Sequence, residues 1–174
     1  MKYLFESPEN VAKLLKEVDE WYGTPWQHLG GTPGYHRAVK KVRGNCVHIV
    51  VAIYENCGFI QPVWLPIHAA NTGVVREEDA MQSLVSVLQS FVTDERMVKV
   101  EDRSGLIVGD ILTFRYAARD HHLGIWLGGL QREFAHCSGS SPAAAVFQKS
   151  SLNNQQIAAG LRGVYRLLAE KEQS

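Results

Sequence analysis

The sequence predicts an α+β fold, with N-terminal helices packed on a central antiparallel β-sheet or partial barrel. Two observations predict it. Apolar residues recur at helical spacing in the first half of the chain, and short runs of β-forming residues separated by glycines fill the second half. Helices first and strands afterwards is the order of an α+β fold, not of alternating α/β units. At 174 residues the chain has the length of one domain with one sizeable core, here read as residues 1–174.

Ser7-Pro8-Glu9 opens the first helix: a capping hydroxyl, a proline at the first helical position, then an acid. Val11, Leu14, Leu15, Val18 and Trp21 follow on one face, and Gly23-Thr24-Pro25 ends it. From Gly23 to Gly44 the chain is rich in Gly, Pro and polar residues and reads as a long loop of functional character. Its Trp26, His28, Tyr35 and His36 suit a lining role. The next helix runs from Cys46 to about Asn56, with Asn45 as its cap and Cys57-Gly58 at its end. Phe59 to Gly73 reads as an irregular connection, and Arg76 to Asp94 as an amphipathic helix with an acidic start. Strands are expected at Met97–Val100, Ile111–Tyr116, Leu123–Leu127 and Glu133–His136, the last two joined as a hairpin. Further strands fit Ala144–Gln148 and Gly163–Leu168, with a short helix over Ser151–Ala159.

Composition narrows the function. Eighteen basic and eighteen acidic residues cancel, which gives no argument for nucleic acid or an anionic membrane as partner. Three cysteines without C-x-x-C spacing argue against a disulfide framework and a zinc knuckle. No run reaches the ~20 apolar residues of a membrane span. The N-terminus carries Lys2, Glu6 and Glu9 and shows no signal peptide, so synthesis in the cytoplasm is expected. Nothing in the residues calls for a cofactor or a metal.

Cys46 stands in the first turn of its helix. There the unpaired N–H groups and the helix dipole favour a thiolate, whose pKa can fall from ~8.5 towards neutrality. A cysteine by itself is commonly buried and inert. A cysteine hydrolase also needs a base and a group that orients the base. His122 is expected at the head of one strand, directly after His121, and His136 near the end of the next. A hairpin would set these two imidazoles side by side, and a helix packed on the sheet could present Cys46 to them. Cys57 lies ~16 Å along the helix from Cys46 and cannot share its base. Cys137 follows His136 on a strand and points to the other face.

These residues resemble the motifs of the NlpC family of papain-like cysteine peptidases, which cleave bacterial cell-wall peptides. The G-T-P-Y and D-C-x-G-L motifs correspond to Gly23-Thr24-Pro25-Trp26 and Asn45-Cys46-Val47-His48-Ile49. The G-D and H-x-G-I-Y-x-G motifs correspond to Gly109-Asp110 and His122-Leu123-Gly124-Ile125-Trp126-Leu127-Gly128. The H-A-S motif corresponds to His136-Cys137-Ser138. Order and spacing agree from Trp21 to Leu168. The leading helix and the segment Leu161–Arg166 look like the branch encoded among phage tail genes.

The resemblance implies Cys46 as nucleophile, His122 as general base and acid, and His136 as the orienting residue. It places Trp26, Gln27, Asn45, His48 and His121 around the substrate, a peptidoglycan peptide cut at the γ-D-glutamyl–diaminopimelate bond or a neighbouring one. It further implies phage tail proteins as partners. Three residues depart from the family pattern: Asn45 for Asp, His48 for Gly and Trp26 for Tyr. Two other readings stay open on these residues. One is a tail-tip or assembly protein that keeps the fold without catalysis. The other is a thiol acyltransferase or amidase with another substrate. Asn45-Cys46-Val47-His48 also echoes the N-C-E-H motif of the lecithin retinol acyltransferases, but there the histidine strand precedes the cysteine.

Overall fold

Ser7 starts the first helix as its sequence position suggests: its hydroxyl accepts the Asn10 N–H at the head of α1 (Pro8–Trp21). Leu14, Val18 and Trp21 form the buried stripe of this helix. The computed structural model of the protein describes residues 2–27, 38–61, 92, 95–116, 119–140 and 142–169. Within them follow α2 (Cys46–Asn56), β1 (Met97–Lys99), β2 (Ile111–Tyr116), β3 (Arg119–Gly128), β4 (Glu133–Ser138), β5 (Val146–Ser151), α3 (Gln155–Gly160) and β6 (Leu161–Leu167). The expected helix over Arg76–Asp94, apart from Val92, and most of the connection Phe59–Gly73 lie outside the described residues.

The six strands form one open antiparallel sheet in the order β1-β6-β2-β3-β4-β5. The side chains of Leu123, Ile125, Ala135 and Cys137 meet the helices on one face. Leu112, Phe114, Trp126 and Phe134 build a second apolar layer on the other. α2 has few polar positions and is buried nearly all round, with Ile49 and Ile53 wholly covered. Each such side chain contributes ~1.5–3 kcal/mol through burial. A Glu17 carboxylate joins three elements: it accepts from Trp21 Nε1, from Asn56 Nδ2 at the end of α2, and from Lys40 Nζ.

Several boundaries differ from those the sequence suggests. β3 begins four residues earlier, because Arg115 and Tyr116 pair with Asp120 and Arg119 beyond a register shift. His122 therefore lies inside the strand and not at its head. β5 begins at Val146, since Pro142–Ala144 form a 3-10 turn. α3 starts only after Asn154, whose side chain caps the N–H groups of Gln156 and Ile157. The described ends of the Gly23–Gly44 loop are hydrogen-bonded. Gly23 N–H donates to Phe147 O, Phe147 N–H to Thr24 O, and Trp26 N–H to Ala145 O, so this stretch lines the outer edge of β5. His28, Tyr35 and His36 lie outside the described residues.

Gly109-Asp110 anchors the start of β2. Gly109 has φ +91, and a Cβ there would come within 2.3 Å of the Phe5 ring, so only glycine fits. Its carbonyl accepts the buried Tyr54 hydroxyl of α2 at 2.7 Å. Asp110, fully buried, accepts from Ile107 N–H and takes two hydrogen bonds from the Arg166 guanidinium of β6, at 2.7 and 2.8 Å. The helix that starts with Cys46 is thereby held to the sheet through the same turn.

Candidate active site

The first turn of α2 is built by Asn45. Its backbone is extended and its Oδ1 accepts the His48 N–H at 2.9 Å. The same oxygen lies 2.7 Å from His48 Nδ1. An amide oxygen only accepts, so His48 carries its proton on Nδ1. His48, expected around the substrate, is only 3 % exposed and is engaged in capping its own helix. Asn45, expected there too, is also buried.

Cys46 is 8 % exposed. Burial raises its thiol above the ordinary value, and the backbone N–H groups of Leu123, Val47 and Cys46 itself only partly offset this. The lowered thiol expected from the helix dipole is thus corrected: desolvation of the charged form outweighs the donors. Burial favours the neutral thiol at rest. Alkylation of Cys46 by iodoacetamide is expected to reach its midpoint above the ~8.5 of an ordinary cysteine. A midpoint below that value, read by peptide mass spectrometry against pH, would contradict this.

Leu123, whose N–H faces the sulfur, directly follows His122. The side chains of His122 and Leu123 leave β3 on opposite sides. Leu123 packs with α2 and His122 stands against Phe114, the ring centroids 6.1 Å apart; the Cys46 sulfur meets the Leu123 N–H, which lies in the plane of the strand between these two side chains. Gly124 pairs with His136 across β3 and β4, so His122 and His136 are diagonal neighbours on one face. His122 Nε2 and His136 Nδ1 are 2.7 Å apart. Phe134 lies beneath His136 at 4.6 Å and stacks on Phe114 at 4.9 Å. Gly124 leaves room for that ring, because a Cβ would meet Phe134 at 2.8 Å.

The chain of contacts continues to a residue that the sequence did not single out. His136 Nε2 is 2.7 Å from Ser150 Oγ on β5. Ser150 has no local motif, and a strand placed at Ala144–Gln148 stops short of it. Only the pairing of Phe134 with Ser150 reveals the contact. His136 is 1 % exposed, and burial pushes its pKa down from 6.5 to about 4. It is neutral near pH 7.

This depression has a consequence for stability. Between pH 6.5 and about 4 the unfolded chain binds a proton at His136 that the folded chain refuses. The contribution is complete above pH 6.5 and is lost as pH falls through about 4, on the order of 3 kcal/mol. Denaturant unfolding at pH 7 and pH 4.5 measures it. His136→Gln is expected to flatten that dependence, and an equally steep one in the variant would contradict the assignment.

Trp26 and Gln27 run beside the residue that precedes Asn45. Gln27 N–H donates to Gly44 O, and Gly44 N–H to Pro25 O. Trp26 is half-buried and Gln27 exposed, next to the start of α2. The side chain of His121 lies outside the described residues. Among the described residues, no three His, Cys, Asp or Glu side chains are grouped as ligands for a metal.

No family model matches the chain, and no curated protein matches it. Solved structures do. A Staphylococcus aureus protein described as similar to lipoprotein, NLP/P60 family, aligns with TM-score 0.57 and 15% identity, over 98% of this chain and 44% of its own. An N-acetylmuramoyl-L-alanine amidase from Bacteroides uniformis aligns with TM-score 0.58 and 10% identity, over 92% of this chain and 100% of its own. The fold is of the NLP/P60 type. The endolysin LysIME-EF1 aligns with TM-score 0.50 and 14% identity, over 92% of this chain and 65% of its own. In this chain α2, which begins with Cys46, packs on the β3–β4 hairpin that carries His122 and His136. This chain spans less than half the length of the staphylococcal protein.

Proposed function

We infer that the protein is a cell-wall hydrolase that cuts an amide bond in bacterial peptidoglycan peptides, with Cys46 as nucleophile. The observation that carries this reading is the His122–His136 hydrogen bond on the strand whose Leu123 N–H reaches the Cys46 sulfur. The neighbours described as an amidase and an endolysin support the substrate class. The γ-D-glutamyl–diaminopimelate bond or a neighbouring amide is the expected target. The helix leading into Gly23-Thr24-Pro25-Trp26 and the closing Leu161–Arg166 segment support a place in a phage tail.

The chemistry follows from the groups present. The Cys46 sulfur attacks the scissile carbonyl carbon and passes its proton to His122 as the C–S bond forms. With Nε2 of His122 bound to His136, Nδ1 is the nitrogen that takes the proton. The N–H groups of Cys46 and Val47 at the helix start are the donors for the oxyanion, each such donor typically lowering the barrier by ~3–4 kcal/mol. The tetrahedral adduct collapses, the C–N bond breaks, and His122 returns the proton to the leaving amine. A water molecule, losing a proton to His122, then hydrolyses the thioester and restores the thiol.

Mass spectrometry of the fragments released from purified peptidoglycan tests the substrate. Fragments with a new amino terminus inside the stem peptide are expected. Fragments cut only in the glycan strand, or transfer of an acyl group to another amine without net hydrolysis, would overturn it.

A further inference from the structure

We propose that Ser150 is a positioning residue that favours the His136 proton on Nε2 and so keeps Nδ1 of His122 unprotonated, as the acceptor of the thiol proton. The proposal rests on the hydrolase reading for its catalytic meaning, but the tautomer itself is a property of the folded protein alone.

The argument is one of donors and acceptors. When His122 has taken the thiol proton, both of its nitrogens carry hydrogen. Its Nε2–H then points at His136 Nδ1, 2.7 Å away, which must accept. A neutral imidazole with an accepting Nδ1 carries its hydrogen on Nε2. That N–H lies in a residue 1 % exposed and needs an acceptor inside the protein, because an unmet buried donor is costly. The Ser150 hydroxyl oxygen, 2.7 Å from Nε2, is in place to be that acceptor. Burial keeps His136 neutral at working pH, so the choice between its two tautomers is real. Without the hydroxyl, the tautomer with hydrogen on Nδ1 gains population. It would donate to His122 Nε2, move the His122 proton to Nδ1, and close the nitrogen that the thiol needs.

Among the described residues nothing else holds His136 Nε2 in the same way. Its ring rests on Phe134 and Phe114, which offer no lone pair in the ring plane. The backbone pairing of β4 with β5 keeps Ser150 within reach whatever its side chain, so the hydroxyl can be removed without moving the strand.

Nitrogen-15 histidine spectra of the wild-type chain, Ser150→Ala and Ser150→Thr test this without any substrate. The wild type is expected to show His136 with hydrogen on Nε2. Ser150→Ala should show a shift towards the Nδ1 tautomer, and Ser150→Thr, which restores a hydroxyl, should return the wild-type pattern. Hydrolysis of peptidoglycan by Ser150→Ala should fall by about tenfold, the scale of one lost hydrogen bond, with an altered pH profile and rescue by Thr. An unchanged His136 tautomer in a folded Ser150→Ala protein would overturn the proposal. A shifted tautomer in a chain that hydrolyses no cell wall would support the positioning role and defeat the hydrolase reading instead.

Discussion

Replacing His122 with alanine is expected to slow peptidoglycan hydrolysis by about a hundred- to ten-thousand-fold, the range of a positioned acid–base group. The loss is large because His122 is used twice, first to accept the thiol proton and then to protonate the departing amine. Burial makes it larger still: the Cys46 thiol is raised, so little thiolate forms without a base. His136→Gln is expected to do less damage, on the order of tenfold. A glutamine amide can accept from His122 Nε2 with its oxygen and point its NH2 at Ser150. Initial rates of fragment release by the two variants give the comparison. A His136→Gln protein slower than His122→Ala would mean that the roles of the two imidazoles are interchanged.

Asp110→Ala is expected to destabilise the protein by about 3–5 kcal/mol, the cost of leaving one member of a buried ion pair alone. Asp110 is 0 % exposed and Arg166 8 %. Removing the carboxylate takes away both hydrogen bonds to the guanidinium and the one from Ile107 N–H. Arg166 would keep its bond to Gly105 O and its place over the Tyr3 ring, but not a counter-charge. The same turn receives the Tyr54 hydroxyl from α2, so looseness there reaches the helix that carries Cys46. Denaturant unfolding of the variant measures the change. A loss below about 1 kcal/mol, the scale of a surface pair, would mean that water reaches Arg166.

How much of this could be read from the sequence depended on how local the signal was. α2 was legible at both ends, because Asn45 can cap, the run after Cys46 has no Gly or Pro, and Cys57-Gly58 ends it. β2 was legible for a similar reason, with Gly109-Asp110 marking where it starts. β3 was cut short because Arg119-Asp120-His121 are polar, and only their pairing with β2 makes them strand. The nearness of His122 and His136 followed from the hairpin, but their diagonal offset depends on a register that no single residue announces. Ser150 was invisible, since its partner is 14 residues away on another strand. The protonation of Cys46 is not a local property: the helix start favours the thiolate, whereas the depth of burial, set by everything packed above it, raises the thiol.

Digestion of purified peptidoglycan by the wild-type chain and by Cys46→Ala tests the central assignment most directly. Release of new amino termini, followed over time, is the readout, with circular dichroism to show that both proteins are folded. The wild type is predicted to release stem-peptide fragments and Cys46→Ala none above background, while Cys57→Ser retains activity. Equal release by the wild type and Cys46→Ala, or no release by a folded wild type, would contradict the account.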